Sequence, residues 1–416
     1  MTFFDLVERH PQVALSHKFR ALYLLGPAFV AGVAYLDPGN VATNLTAGGK
    51  YGFLLLWVIV AANLAAWLVQ YLSAKFGIAT GKSLPEVMGD RLTNKPIRLA
   101  YWAQAQLVAI ATDVAEIIGG AIALKILFNL PMLVGALVTG FFSIAHLSLR
   151  ERGSEKAFEI VIVLLIGVTA IGFTSGLFAA PANTHAVLAG LIPHFSGKDS
   201  LLLAVSIIGA TIMPHAIYAH SALSCDRSAY RRNVTSKVGL LRATKWDVSI
   251  AMMVAGLVNA GILIVGAVNL YGHKINDSIM GAHAAISDSL GLTFGTLFAF
   301  GLLASGIASS SVGTYSSGVI SQGLLKKKLS FFTQRMMALV PALVIISLTH
   351  NPTMALVLSQ VVLSLGIPFA LIPLIYLTSK SDVMGQLKNK LKTKISGYAI
   401  VALLTALNLI LLFLIF

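Results

Sequence analysis

Long apolar blocks separated by short polar segments fill the whole chain. Most blocks have about 20 residues, the length that an α-helix needs to cross roughly 30 Å of hydrocarbon, and they lack the alternating pattern of a membrane β-barrel. The pattern therefore predicts an all-α polytopic membrane protein. The predicted spans are residues 21–49, 53–76, 97–124, 130–149, 157–178, 199–223, 246–271, 289–325, 330–349, 353–378 and 396–416.

Proline interrupts two of these spans at comparable positions. The first span passes through residues 37–40, which read Asp-Pro-Gly-Asn, and the sixth passes through residues 213–215, which read Met-Pro-His. Because five spans separate the two breaks, the second unit enters the membrane in the opposite direction. Paired interrupted helices in matching halves of a chain indicate a transport site near the membrane midplane.

We therefore predict a five-plus-five inverted repeat with an eleventh helix added to it. The predicted units are a cytoplasmic tail at 1–20, a first repeat at 21–178, an extracellular loop at 179–198, a second repeat at 199–378, a cytoplasmic loop at 379–395 and the last span at 396–416.

Composition and charge agree with this topology. The chain is 57% apolar and 11% charged with a mean hydropathy of +0.84, which excludes a soluble enzyme. Of the 30 lysines and arginines, 26 lie on the side of the N-terminus, so the positive-inside rule predicts a cytoplasmic N-terminus and an outer C-terminus. Lys326, Lys327 and Lys328 therefore indicate a cytoplasmic loop anchor, and neither nucleic acid nor an obligatory protein partner is predicted.

The two breaks expose backbone carbonyls inside the membrane. Proline has no N–H, so Pro38 removes the helical partner of the Ala34 carbonyl and Pro214 removes that of the Ala210 carbonyl. An unsatisfied carbonyl in hydrocarbon costs several kcal/mol, so such backbone persists only against protein, water or an ion. Two freed carbonyls at the ends of half-helices are typical of a cation site.

Side chains beside the carbonyls favour a transition metal. Asp37 brings a negative charge, Asn40 an amide oxygen and Met213 a thioether, a soft ligand that Mg²⁺ and Ca²⁺ do not favour. Asp-Pro-Gly-Asn is also a common turn, and a lone methionine more often fills a core. The position of the run inside an apolar span, and its matching break, favour the metal site.

Other polar side chains within the spans suggest proton transfer. Asp113 and Glu116 are three residues apart and share one helix face, where two carboxylates in a low-dielectric setting cannot both be comfortably ionised. His215 lies beside the second break and His220 further along the same span. Each histidine could instead be a hydrogen-bonded core residue.

These motifs resemble those of the NRAMP family of divalent-metal transporters. The resemblance rests on the two breaks and on residues 111–116, which read Ala-Thr-Asp-Val-Ala-Glu, and it covers essentially the whole chain. It implies a LeuT-like fold with alternating access. It also implies metal binding by Asp37, Asn40, Met213 and the carbonyls of Ala34 and Ala210, with Gln360 joining in some transport states.

The resemblance further implies a proton route. That route runs from Asp37 and His215 through Asp113 and Glu116 to Arg335, although Arg335 could equally be a positive-inside anchor.

The sequence departs from many bacterial relatives at the inner end of this route. Gln106 stands where a glutamate is usual, and Gln334 where an arginine is usual. We interpret this as a polar pair that replaces an ion pair. Elsewhere, Ser309–Ser311 suggest close helix packing, and Glu159 and Asp247 suggest interface charges.

The predicted function is import of Mn²⁺, with Fe²⁺ and also Co²⁺ or Cd²⁺, across a bacterial cell membrane together with protons. We expect no resident cofactor, and no nucleotide-binding motif is present. One alternative is a LeuT-like carrier of an organic solute such as an amino acid, against which Asp37 and Met213 argue. A membrane-embedded metal hydrolase would need a set such as His-Glu-x-x-His, which the chain lacks.

Overall fold

The structure, a computed structural model, describes residues 26–151, 155–179, 182–230, 236–272, 279–349 and 351–415, and the predicted tail at 1–20 lies outside them. These residues form α-helices joined by short turns. The helices are α1 (Pro27–Gly32), α2 (Pro38–Tyr51), α3 (Leu56–Thr80), α4 (Leu84–Arg91), α5 (Lys95–Phe128), α6 (Met132–Glu151), α7 (Glu155–Ala179), α8 (Thr184–Ala189), α9 (Gly197–Thr211), α10 (Pro214–Tyr230), α11 (Lys237–Asn269), α12 (Ile279–Leu290), α13 (Leu292–Leu325), α14 (Phe331–Leu348), α15 (Pro352–Thr378), α16 (Ser381–Met384) and α17 (Leu391–Ile415).

The helix lengths fit a multi-pass membrane protein. Among the described residues, eight helical stretches are long and apolar enough to cross a membrane, with α9 and α10 taken as one stretch. Three further apolar helical stretches are shorter, at Pro27–Leu36, Met132–Ser148 and Phe332–Leu348. The total of eleven crossings and the repeat boundaries stay predictions.

The first break follows the ordinary rules for starting a helix. After α1, residues Val33–Leu36 form a 3₁₀ turn, and Asp37 is extended with φ −69° and ψ 163°. Pro38 then occupies the first position of α2, where its missing N–H costs nothing, and the Asp37 carboxylate caps the helix by accepting from the Asn40 N–H. The interruption thus starts a full turn before the proline, earlier than the proline alone predicts.

The second break repeats this logic. Helix α9 ends at Thr211, Ile212 leaves the helical region with φ −106° and ψ 74°, and α10 begins at Pro214. Each proline is therefore the start of a second half-helix. Gly119 of α5 allows close packing on the first break, because a Cβ at Gly119 would overlap the ring of Pro38.

The predicted eighth span, 289–325, matches α13 to within three residues. Its first residues fall at the end of α12, because α13 starts only at Leu292. Gly291 separates the two helices with φ 102°, a conformation that an L-residue rarely adopts. Short helices α4, α8 and α16 in the connections carry too few apolar residues to stand out in the sequence.

An exposed ion-pair cluster joins two loops at the basic side of the protein. Asp90 at the end of α4 binds Lys326 Nζ at 2.8 Å and Lys82 Nζ at 2.9 Å. Hydrogen bonds from Lys326 and then Lys82 lower the pKa of Asp90 to about 2. Lys326 therefore fastens the start of the α13–α14 loop, in agreement with an anchoring role.

A buried carboxylate holds the start of α1. Asp247 of α11, only 1% exposed, accepts from the backbone N–H groups of Gly26 at 3.4 Å and Ala28 at 3.3 Å, and pairs with Arg227 Nη1 of α10 at 3.3 Å. Asp247 is therefore a buried cap rather than the interface charge that its sequence position suggests. A carboxylate at a helix N-terminus is stabilised by the orphan N–H groups and the helix dipole.

We expect Asp247→Asn to loosen α1, because the amide keeps the shape but loses the charge that the N–H groups and Arg227 require. The free energy of detaching α1 should fall by about 1–2 kcal/mol, which raises the population with α1 detached roughly tenfold. Labelling of Ala28→Cys by a thiol reagent, in a Cys225→Ser background, measures this detachment. Asp382→Asn, which removes the exposed pair with Arg91, is the matched control and should leave labelling unchanged.

Candidate functional site

The two helix breaks meet at the Asn40 side chain. Asn40 Nδ2 donates to Asp37 Oδ1 at 2.6 Å and to the Ala210 carbonyl at 2.9 Å, so one amide joins the first break to the second. Asp37 Oδ1 accepts the Asn40 backbone N–H as well, at 2.8 Å, while Asp37 Oδ2 and Asn40 Oδ1 have no hydrogen-bond partner among the described residues. The site thus holds two unused, buried oxygens.

Met213 and Ala34 lie together beside this pair. They form one small apolar cluster with Val108, Ala216 and Leu363, separate from the main core, and both are fully buried. The thioether is therefore packed as a core side chain and also adjoins a residue of the first break. This placement is compatible with both interpretations of the methionine.

Gln360 of α15 lies directly over the start of α2. A Cβ added to Gly39 would overlap the Gln360 side-chain amide and lie 3.0 Å from Asp37 Oδ2. Gln360 Oε1 is buried and has no hydrogen-bond partner in the described residues. All six predicted ligand residues therefore surround the two breaks, and none is more than 1% exposed.

His215 lies in the first turn of α10 and contacts α5. Its Nδ1 is 3.2 Å from Thr112 Oγ1, and that hydroxyl donates to the Val108 carbonyl at 3.0 Å. The hydroxyl can donate to either acceptor, so the tautomer of His215 sets the direction of the bond at Nδ1. Nε2 is buried and has no hydrogen-bond partner among the described residues.

Asp113 and Arg335 form a buried ion pair. Arg335 Nη1 is 2.7 Å from Asp113 Oδ1, and the side-chain exposures are 0% and 4%. Ser310 Oγ bonds both partners, donating to Asp113 Oδ1 at 2.5 Å and accepting from Arg335 Nη1 at 2.6 Å, and Thr314 Oγ1 donates to Asp113 Oδ2 at 3.3 Å. Ser310 is thus a polar partner of the pair rather than only the packing residue that the sequence suggests.

Glu116 lies between this ion pair and the first break. It is fully buried, beside Ser309 of α13, and a Cβ at Gly313 would lie 2.8 Å from Glu116 Oε2 and 3.6 Å from the Asp113 Cβ. One helical turn further along α5, Gly119 meets Pro38. The predicted proton residues on α5 therefore form a line from the break to Arg335.

Gln106 and Gln334 do not form the direct pair that we predicted. Gln106 Nε2 donates to Ser317 Oγ and its Oε1 accepts from Ser321 Oγ at 3.3 Å, whereas Gln334 Nε2 donates to the Leu329 carbonyl at 2.8 Å. Both amides lie against neighbouring residues of α13, since a Cβ at Gly318 would lie 2.8 Å from Gln334 Oε1. Each side-chain NH₂ group thus donates to a partner other than the second glutamine, while Gln334 Oε1 is buried without a hydrogen-bond partner among the described residues.

His220 belongs to a different network, on α3. Its Nδ1 is 2.6 Å from Gln70 Oε1, and Gln70 Nε2 donates to the hydroxyl of Tyr35, in the 3₁₀ turn of the first break. Asn259 of α11 donates to the Tyr35 carbonyl at 2.7 Å and accepts from Asn44 at 2.9 Å. Sequence reasoning missed Gln70 and Asn259, although uncharged amides inside apolar spans are the signal that could have identified them.

The arrangement can accommodate a partly dehydrated cation. Asp37 supplies one full negative charge, and the unused oxygens of Asn40 and Gln360 supply neutral donors within the same buried space. Each unsatisfied buried polar group costs about 1–3 kcal/mol, so an ion that engages several of them stabilises the closed site.

We expect that replacing one partner of the Asp113–Arg335 pair lowers the free energy of unfolding more than replacing both partners. Arg335→Gln alone leaves Asp113 without its counter-charge and should lower the free energy of unfolding by about 3–5 kcal/mol. The double variant Asp113→Asn, Arg335→Gln should recover at least half of that loss, as measured by thermal unfolding in detergent. Additive losses would show that the two groups are not energetically coupled.

Comparisons with known proteins agree with the predicted family. The sequence model of the family described as "Natural resistance-associated macrophage protein-like" matches residues 28–414. The Divalent metal cation transporter MntH of Mycobacterium tuberculosis (strain ATCC 25618 / H37Rv) is 53% identical over 392 residues, covering 94% of this chain and 91% of that protein. The protein of the same name from Bacillus subtilis (strain 168) is 44% identical over 406 residues, covering 96% and 95%.

Solved structures agree at the level of the fold. A crystal structure of the Eremococcus coleocola manganese transporter matches with a TM-score of 0.84 and 33% identity, covering 96% of this chain and 88% of that one. Mhp1, a nucleobase-cation-symport-1 family transporter, matches with a TM-score of 0.55 at 14% identity, covering 93% and 91%, and supports the LeuT-like fold alone. Because the family match spans nearly the whole sequence, this chain belongs to the Nramp family.

Proposed function

We propose that this protein imports divalent transition metal ions, Mn²⁺ first and Fe²⁺, Co²⁺ or Cd²⁺ with it, by alternating access and together with protons. The observation that carries this proposal is the single buried carboxylate of Asp37 at the meeting point of two interrupted helices, bridged to the second break by Asn40. The relatives named as divalent metal cation and manganese transporters support it. The basic residues on one side support a cytoplasmic N-terminus and insertion in the cell membrane.

Metal binding requires Asn40 to exchange its partners. The Asn40 NH₂ group now links two oxygens that a cation would attract, Asp37 Oδ1 and the Ala210 carbonyl. Turning the amide by half a rotation presents Asn40 Oδ1 to the same space and releases both acceptors. In this proposal the Asn40 amide would hold both oxygens by hydrogen bonds whenever no cation engages them, which lowers the cost of burying them in the membrane.

The choice of ion depends on Met213. A thioether binds soft or borderline ions better than hard ones, and Ca²⁺ and Mg²⁺ prefer oxygen ligands throughout. The site offers one carboxylate and only neutral partners beside it, so a hard ion would recover less of its hydration energy than Mn²⁺. We propose that Met213 contributes selectivity more than affinity.

Proton transfer runs along α5 in this proposal. Neutralisation of Asp37 by an arriving ion changes the field at Glu116, which lies one turn from the contact between Gly119 and Pro38. Asp113 and Arg335 continue the line away from the site. The proposal assigns His215, with its unused Nε2, to the start of the route. His220, whose Nδ1 contacts Gln70, is assigned a structural part.

We expect Met213→Ala to carry Mn²⁺ in proteoliposomes but to lose much of its rejection of Ca²⁺, about tenfold in the Mn²⁺ to Ca²⁺ ratio. The assay is Mn²⁺ uptake against excess Ca²⁺ or Mg²⁺. Met252→Ala is the matched control, because Met252 is equally buried but belongs to the main core on α11. Unchanged discrimination in Met213→Ala would remove the thioether from the proposal.

Asp37→Ala tests the site as a whole. Without the carboxylate the remaining donors are neutral, so we expect uptake to fall to the level of empty liposomes. Retention of transport by this variant contradicts the proposed site. Competition of Mn²⁺ uptake by amino acids would instead favour the organic-solute carrier.

Gln106→Glu tests the inner end of the proton route. Gln106→Glu restores an acid two turns from Asp113, against the hydroxyls of Ser317 and Ser321, and should change the number of protons that accompany each metal ion. Simultaneous recording of Mn²⁺ entry and internal acidification at several pH values provides the measurement. An unchanged ratio and pH dependence would show that Gln106 lies off the route.

A further inference from the structure

His146 of α6 is a buried histidine that the proposed proton route does not use. Its exposure is 6%, its Nδ1 is 2.9 Å from Ser311 Oγ, and its Nε2 is 3.4 Å from the Phe158 carbonyl. The imidazole also stacks on the Phe158 ring, with centroids 4.7 Å apart at 24°. His146 therefore joins α6 to α7 and α13, and Ser311 follows directly after Ser310, which binds the Asp113–Arg335 pair.

Neighbouring positions on the surface of α6 lead from His146 towards Arg335. Residues 146 and 143, and 143 and 140, are each three apart, and a Cβ at Gly140 would lie 3.6 Å from both Nε and Nη2 of Arg335. Arg335 Nε, Arg335 Nη2 and Ser143 Oγ are all buried without a hydrogen-bond partner in the described residues. This strip of α6, from Gly140 through Ser143 to His146, is therefore a seam of buried polar groups.

His146 is hydrogen-bonded in either protonation state. In the neutral form Nε2–H donates to the Phe158 carbonyl, and Nδ1 accepts from Ser311. In the charged form both nitrogens donate, and the Ser311 hydroxyl then donates to the Ile307 carbonyl at 2.8 Å. A histidine that exchanges protons without breaking its contacts is suited to proton relay.

The charged groups around this seam are few. Helix α5 contributes Asp113 and Glu116, α14 contributes Arg335, and α13 has no charged residue along its length. On α7, Glu159 is directed towards Gly26 at the start of α1, since a Cβ there would lie 2.8 Å from Glu159 Oε1. On α6 itself no charged residue precedes Arg150.

We propose that His146 and Ser143 form a proton exit branch, by which protons leave the Asp113–Arg335 pair along α6 towards the basic, cytoplasmic end of that helix. Three observations support this branch: Arg335 presents an edge without a hydrogen-bond partner to Gly140, the Ser143 hydroxyl has no partner among the described residues, and the imidazole of His146 is hydrogen-bonded at both nitrogens. This inference rests on the proposed proton-coupled import. It gives the route an outlet that bypasses Gln106 and Gln334, which cannot titrate.

The test uses the full chain in proteoliposomes with a trapped pH dye, and records Mn²⁺ entry and internal acidification together at internal pH 6.0 to 8.0. We expect His146→Gln, whose amide can keep the Ser311 contact but cannot titrate, to lower protons per Mn²⁺ by about 3-fold to 10-fold. That is less than the ~10² lost when a direct acid–base group is removed, because the Ser311 and Ser143 hydroxyls remain. Mn²⁺ entry driven by its own gradient should change by less than about twofold, since the binding site is untouched.

Two further variants make the result decisive. His283→Gln on α12, away from the seam, is the matched control and should behave as the parent. Ser143→Ala removes one unpartnered hydroxyl without touching the imidazole, and it should lower the proton ratio in the same direction even if His146→Gln does not fold.

The outcomes separate this inference from the proposed function. A parent that carries Mn²⁺ with no accompanying acidification overturns the proton coupling itself. A parent that acidifies, with His146→Gln or Ser143→Ala giving the parental ratio, overturns the exit branch and leaves the transporter intact. Equal loss of Mn²⁺ entry and acidification in both variants assigns His146 a purely structural role and also contradicts the branch.

Discussion

The whole molecule depends on one constraint, that backbone polar groups in a membrane must find partners inside the protein. Two helices leave backbone groups without helical partners at Pro38 and Pro214, and surrounding side chains hydrogen-bond several of these groups. Asn40 bonds the Ala210 carbonyl, Asn259 bonds that of Tyr35, and Ser305 of α13 bonds that of Leu36. The breaks are therefore tied to α11 and α13 by specific bonds, which holds the irregular backbone in one arrangement.

The second organising feature is the uneven pairing of buried carboxylates, because among the described residues Asp113 and Asp247 have arginine partners whereas Asp37 and Glu116 do not. Asp113 has Arg335, and Asp247 has Arg227 together with the N–H groups of α1. Asp37 is different, since its partners are the neutral donors of Asn40. A carboxylate buried in a membrane protein without a counter-charge is costly, and such a position commonly marks an ion or proton site.

The sequence predicts those features that depend on local pattern. The lengths of the apolar blocks predict the helices, and the two prolines predict the breaks, because each signal lies within a few residues of the feature that it determines. Contacts between distant residues were beyond such reasoning. Nothing near Asp247 shows that α1 will dock on it, and the serines at 309–311 differ in role only because successive residues of α13 point to different neighbours. The predicted Gln106–Gln334 pair is not observed for the same reason, because Gln106 Nε2 donates to Ser317 and Gln334 Nε2 donates to the Leu329 carbonyl.

The capping of α2 also limits how Asp37 can be shared. One carboxylate oxygen, Oδ1, is committed to the first turn of the helix through the Asn40 N–H, while Oδ2 is unclaimed. Oδ1 also accepts the Asn40 side-chain amide, so release of that amide would free one lone pair of Oδ1 without disturbing the capping bond. The same carboxylate can therefore hold the start of α2 and face the interior of the break at once.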